Sequence, residues 1–174
     1  SICTEEKMTI AKYAAELIEN GDFVFLDAGT TTEKMIDYLN VKDVTFVTNG
    51  FIHAKKLARK GYKVFITGGE IKASTEAIVG AECVLTLKNY NFTKCFMGTN
   101  GISLTAGFTT PDVNEARVKS AAIESSREVY VLADHSKFDE VSSATFAGLG
   151  KAVIITDRIP NRKYNNAADI TEVG

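Results

Sequence analysis

The chain has 174 residues, is 45% hydrophobic and 24% charged, and carries a formal net charge of −2 with a pI of about 5.7. These values describe one globular domain with a real core. The acidic balance argues against this chain gripping nucleic acid by itself, because such modules are basic. No apolar run reaches the ~18 residues that cross a bilayer, and Glu5, Glu6 and Lys7 stand where a secretory signal would turn apolar. Cys3, Cys83 and Cys95 form no C-x-x-C pair, which fits a reduced, cytoplasmic protein.

Taken in chain order, residues 5–20 carry helical periodicity through Met8, Ile10, Ala11, Ala14, Ala15, Leu17 and Ile18, with a stop at Asn20-Gly21. Phe23–Leu26 reads as a strand and ends in Asp27-Ala-Gly-Thr-Thr-Thr, after which a helix runs near 31–39. Val44–Thr48 is a second strand ending in Asn49-Gly50, followed by a helix over 51–59. Val64–Ile66 is a third strand, ending in Thr67-Gly68-Gly69, and a helix is predicted over about 76–88. Phe92–Met97 runs into Gly98-Thr99-Asn100-Gly101, and a helix over 111–126 opens at Pro111-Asp112. Val129–Leu132 ends in Ala133-Asp134, and Val153–Ile155 ends in Thr156-Asp157. Residues 159–174 read as a tail, with any last strand near Ile170. Short strands that are apolar on both faces, alternating with amphipathic helices, predict an α/β fold: a mainly parallel sheet with helices on both faces, in one domain.

Five successive strand ends carry Gly with short polar side chains, and open α/β sheets bind ligands beyond the carboxyl ends of their strands. The Asp27–Thr32 turn matters most. It aims backbone N–H groups and three hydroxyls at one spot, as a phosphate or carboxylate socket does; an ordinary Thr-capped strand–helix turn has the same letters. Lys137 reaches a phosphate as a point charge or is a solvated lysine. Arg117 and Lys119 are surface charges or close over the ligand. Glu115 accepts sugar hydroxyls or is an exposed helix residue. His53 and His135 lack metal-ligand spacing, so no metal and no cofactor is expected. Asp134-His135-Ser136 has no nucleophile elbow around it.

The ordered set Phe25-Leu-Asp-Ala-Gly-Thr-Thr-Thr, Val47-Thr-Asn-Gly, Thr67-Gly-Gly, Gly98-Thr-Asn-Gly-Ile-Ser, Gly107-Phe-Thr-Thr, Glu115-Ala-Arg-Val-Lys119 and Leu132-Ala-Asp-His-Ser-Lys-Phe138 resembles the sensor domain of DeoR-type sugar-metabolism repressors, over about residues 7–158. The resemblance implies a phosphorylated sugar effector, self-association, and operator DNA reached only through an N-terminal winged helix-turn-helix that this sequence lacks. The wording around Gly107–Ala116 is most similar to the fructose-operon branch, which suggests fructose 1-phosphate. On this resemblance Gly29, Thr30, Thr31 and Thr32 hold the phosphate and Lys137 adds charge. Asp27, Asn49, Asn100 and Glu115 read hydroxyls, and Gly50, Gly68, Gly69 and Gly101 let the backbone approach.

The chain is also similar to ribose-5-phosphate isomerases, whose phosphate turn Ala28–Thr32 matches in part. Where those enzymes carry the carboxylates that shuttle protons, this chain has Asn100 and Ser103, neither of which is a competent base at neutral pH. A sensor is therefore expected, with an aldose–ketose isomerase and a pure oligomerisation module as the rival readings.

Overall fold

The computed structural model describes residues 3–174. Its elements in order are α1 (Thr4–Glu16), β1 (Phe23–Leu26), α2 (Thr30–Ile36), β2 (Thr45–Thr48), α3 (Phe51–Arg59), β3 (Lys63–Ile66), β4 (Glu70–Lys72), β5 (Ala77–Val79), α4 (Ala81–Lys88), β6 (Phe92–Gly98), β7 (Gly101–Ser103), β8 (Gly107–Thr110), α5 (Val113–Glu124), β9 (Ser126–Leu132), β10 (Ala144–Ala147), β11 (Val153–Thr156) and β12 (Asp169–Glu172).

Seven strands form one sheet in the order β12-β11-β9-β6-β1-β2-β3, and every neighbouring pair in it is parallel. Side chains alternate between two separate cores. Val24 and Leu26 of β1 join Ile10, Ala14, Met35, Ile36 and Leu57 from α1, α2 and α3. Phe25, between them in sequence, faces Cys83, Leu87, Ala121 and Ala122 from α4 and α5. The central strands are thus covered on both faces, as their two-sided apolar pattern requires. The sheet and its two helical layers follow the expected architecture.

The chain lays β2 and β3 on one side of β1, then returns to place β6, β9, β11 and β12 on the other. This makes the β1/β6 pair the point where strand order reverses, and a crevice opens there at the carboxyl ends.

Several elements differ from the sequence expectation. The first helix stops at Glu16 rather than near residue 20: the Asp22 carboxylate accepts from the Glu19 N–H and pairs with Lys94 at 2.7 Å, which holds residues 19–22 in a turn. Residues 77–79, expected to be helical, are β5, which pairs antiparallel with β4. The helix starts only after Gly80, whose φ of 106° reverses the chain. A three-stranded antiparallel sheet, β10-β8-β7, was not anticipated. Its strands are three or four residues long and rich in Gly, Ser and Thr, so they carry no clear period-2 pattern. The expected tail does hold a strand at Ile170: β12, paired with β11.

Candidate functional site

Asp27 leaves the end of β1 with its carboxylate buried, 2% exposed, and surrounded by donors. Oδ1 accepts from the Gly29 N–H at 3.0 Å and lies 3.2 Å from the Thr32 hydroxyl. Oδ2 accepts from the Gly98 N–H of β6 at 3.0 Å and from the Lys119 ammonium of α5 at 2.5 Å. Lys119 also donates to the Gly98 carbonyl at 2.9 Å and lies over the Phe146 ring. One carboxylate therefore ties β1, β6 and α5 together beneath the crevice.

Next to it, Thr32 is buried and its hydroxyl contacts the Asp27 and Gly29 carbonyls. His53 Nε2 donates to the Gly29 carbonyl at 2.8 Å and is 3.1 Å from the Thr32 hydroxyl. Burial pushes the His53 pKa down, against the pull of the Gly29 carbonyl and of Asp27, so the ring is neutral at pH 7. Gly50 makes room for this ring, because a Cβ there would stand 2.5 Å from His53 Nδ1.

Above this floor is a cavity of about 490 Å³. Among the residues expected at the site, Asp27, Gly29, Thr30, Thr31, Asn49, Asn100, Glu115 and Lys137 line it. The other five do not. The Thr32 hydroxyl is turned down into the floor, and Gly50 packs under His53. Gly68 and Gly69 follow β3, two strands away from β1 at the sheet edge, outside the crevice. Gly101 begins β7 and lets the Glu140 carbonyl approach; a Cβ there would lie 2.2 Å from that oxygen. Arg117 is exposed and also outside the lining.

The structure adds Lys7, Lys72, Ser74, Thr75, Thr99, Thr110, Lys119 and Asp134 to the wall. Of these, the sequence points to Lys119, with Arg117, as a charge that closes over a ligand, and to Thr99 and Asp134 only as strand-end residues. Lys7 reaches the cavity from α1, and Lys72 and Thr75 from the β4–β5 hairpin. Lys72 pairs with Asp112 at 2.9 Å and Glu115 at 3.3 Å, and the Thr75 hydroxyl donates to Glu115 at 3.1 Å. The hairpin is thereby clipped to the start of α5, where the Asp112 carboxylate caps the helix by accepting from the Asn114 and Glu115 N–H groups. At the end of β9, burial opposes ionisation of Asp134, but the Ser136 hydroxyl and amide outweigh it and hold the carboxyl below its usual range.

The charges sort into two kinds. Lys119 and Lys72 are neutralised by carboxylates, whereas Lys7 and Lys137, both partly buried, carry no salt bridge among the described residues. The Asn49 amide nitrogen donates to the Ile78 carbonyl at 3.0 Å, while its oxygen, buried, has no donor within the described protein. Asn100 Oδ1 accepts from the Thr110 hydroxyl at 3.0 Å.

A family model described as the DeoR C terminal sensor domain matches residues 2–158. The chain is 46% identical over 169 residues to FruR of Bacillus subtilis (strain 168), described as an uncharacterized HTH-type transcriptional regulator, covering 97% of this chain and 67% of that protein. It is 37% identical over 174 residues to the HTH-type transcriptional regulator IolR of the same organism, covering 98% and 69%. It is 34% identical over 172 residues to a lactose phosphotransferase system repressor of Staphylococcus aureus (strain COL), covering 97% and 68%. In three dimensions it resembles ribose 5-phosphate isomerase from Plasmodium falciparum, with a TM-score of 0.55, 14% identity, and coverage of 83% of this chain and 53% of that one. A D-ribose-5-phosphate isomerase in complex with phospho-erythronic acid gives a TM-score of 0.56 at 16% identity, covering 77% and 53%. The chain thus spans about two thirds of those regulators and about half of the isomerases. At these identities the isomerase likeness is one of fold.

Two consequences are measurable. Asp27→Ala strands a largely buried Lys119, so urea unfolding will show a loss of about 3–5 kcal/mol; the Asp27→Ala/Lys119→Met double variant will lose less than the sum of the two single changes. Secondly, His53 binds a proton in the unfolded chain below about pH 6.5 but not in the folded one. The unfolded state therefore takes up more protons, and stability falls as pH drops below that value, by at most about 1.4 kcal/mol per unit. Urea midpoints between pH 8 and 5.5 test this, and a flat profile would count against a neutral, buried His53.

Proposed function

Because this chain belongs to the DeoR C-terminal sensor domain family, we propose that its cavity binds a phosphorylated sugar and that binding regulates a DNA-binding repressor of sugar catabolism. The observation that carries the reading is the charge arrangement of the wall. Lys7 and Lys137 are left unneutralised, while every carboxylate on the wall is already engaged. An anion entering the cavity meets two cations that make no salt bridge among the described residues, Lys137 facing only the longer-range charge of Asp134. Thr30, Thr31 and the turn backbone line the same cavity as Lys137 and offer further donors for phosphate oxygens. Asn49, Asn100 and Glu115 offer the acceptors that hydroxyls need; the Asn49 oxygen still lacks a donor.

The same census argues against chemistry. Proton transfer at a sugar carbon needs a base of suitable pKa aimed at the substrate. Asp27 is locked by Lys119 and the strand-end amides, Glu115 is paired with Lys72 and Thr75, and Asp134 is held ionised by Ser136. Ser103, at the place of one isomerase carboxylate, is buried, and its oxygen accepts from the Ala106 N–H. Non-catalytic sensing of fructose 1-phosphate or a close relative, in the cytoplasm and in a self-associating domain, is the most specific form of this reading. DNA contact belongs to the remainder of a longer repressor, consistent with the relatives being HTH-type regulators.

Calorimetry against a panel of sugar phosphates that includes fructose 1-phosphate tests the proposal. A ligand in the panel will bind, and Lys137→Ala will weaken it about ten- to a hundredfold, the worth of one charge-assisted contact. Unchanged affinity in that variant removes Lys137 from the site. Ribose 5-phosphate incubated with the protein will show no conversion to the ketose; clear turnover would favour the isomerase reading instead.

A further inference from the structure

Cys3, Asp134 and His135 each present one ligand atom, and those atoms lie within 4.8 Å of one another. The Cys3 thiol is hydrogen-bonded to Asp134. Ser136 occupies only Oδ1 of that carboxylate, through its N–H and its hydroxyl. His135 is oriented from outside the group. Its Nδ1 is 2.7 Å from Asp157 Oδ2, and Asp157 Oδ1 accepts from the His135 backbone N–H at 2.7 Å. Nε2 is left without a partner among the described residues. A carboxylate on one nitrogen of an imidazole fixes the tautomer and makes the other a better ligand, which is the usual outer shell of a metal-bound histidine. Asp157 also shares a surface cavity with Glu5, Glu6, Glu172 and Arg158, four carboxylates against one guanidinium, so the surrounding field favours a cation.

We propose that Cys3, Asp134 and His135 form a binding site for a borderline-soft divalent cation of the zinc class. The donor set is thiolate, carboxylate and imidazole, which zinc takes at about 2.3, 2.0–2.2 and 2.0–2.1 Å in tetrahedral geometry. A thiolate ligand disfavours magnesium and calcium. On binding, the thiol proton passes to solvent, a sulfur–metal bond forms, and the metal replaces that proton between Cys3 and Asp134. Two anionic ligands balance the dication. The fourth position is left to water or to an oxygen from the adjoining cavity, whose wall includes Asp134. The ion would join the start of α1 to the end of β9. The sequence conceals this group because Cys3, just before α1, and Asp134-His135, just after β9, are far apart along the chain.

Cobalt(II), added alone to chelator-treated protein, is the probe, so the outcome is independent of whether any sugar phosphate binds. The expected result is uptake of one equivalent with a thiolate-to-cobalt charge-transfer band in the near ultraviolet, lost when zinc is added. Cys3→Ser will abolish that band, with melting by circular dichroism showing the fold retained. His135→Gln will weaken binding about tenfold or more, and Asp157→Asn will weaken it about ten- to a hundredfold while keeping the band. No charge-transfer band in the unmodified protein, or equal cobalt binding in the Cys3→Ser and His135→Gln proteins, would overturn the site.

Discussion

The Asp27 carboxylate sets the shape of everything above the sheet. Parallel strands β1 and β6 stay paired as far as the Asp27 N–H, which donates to the Phe96 carbonyl; the Gly98 and Gly29 amides beyond that bond meet the crevice. Asp27 gives the Gly98 N–H of β6 and the Gly29 N–H of the following turn one acceptor each. It also brings the Lys119 ammonium down between them. Such a buried pair is costly to desolvate and is stable here because both charges meet further hydrogen bonds. The consequence is a rigid polar floor. Thr32 and His53 are spent on this floor, which is why a turn that reads as three equivalent threonines divides into two that face the cavity and one that does not.

The walls are held more loosely than the floor. The β4–β5 hairpin closes one side through Lys72, whose ammonium meets Asp112 and Glu115 while remaining 31% exposed. Ion pairs this open contribute roughly 0–1 kcal/mol, so the clip positions the hairpin without locking it. Hydrogen bonding to Lys72 and to the Asn114 and Glu115 amides holds the Asp112 carboxyl below its usual range, and the clip persists at neutral pH. Glu115 and Lys72 both line the cavity, so an anion and its hydroxyls would compete with the same contacts that fix the hairpin. On the other side, Lys7 brings α1 into the wall. A ligand held between Lys7 and Lys137 would therefore bear on α1 and on the turn after β9 together, the kind of differential contact that a shift between two arrangements of a sensor requires.

Much of this was legible in the sequence because parallel strands and their turns are local signals. Apart from β12, Asp169-Ile-Thr-Glu, the strands of the seven-stranded sheet hold apolar runs bounded by Gly and polar residues, and the crevice follows from where those runs end. The strand-end reading located Asp27, Asn49, Asn100 and Lys137 on one cavity. It also included Gly68 and Gly69, which lie outside that cavity, because periodicity does not reveal strand order and β3 lies at the edge. The hairpin was hidden for a related reason. Ala77-Ile78-Val79 is three apolar residues next to a helix, and only pairing with Glu70–Lys72 makes them a strand. Lys72 and Lys7 had no local signature at all; their position follows from tertiary packing.

Backbone amide resonances followed during titration with a sugar phosphate test the central claim most directly. The account predicts that the amides of Thr30, Thr31, Asn100 and Lys137 shift together and saturably, with those of the β4–β5 hairpin moving in step, while β12 and the sheet end near Lys94 stay still. Shifts confined to the sheet edge or the outer helix faces, with the crevice unmoved, would contradict it.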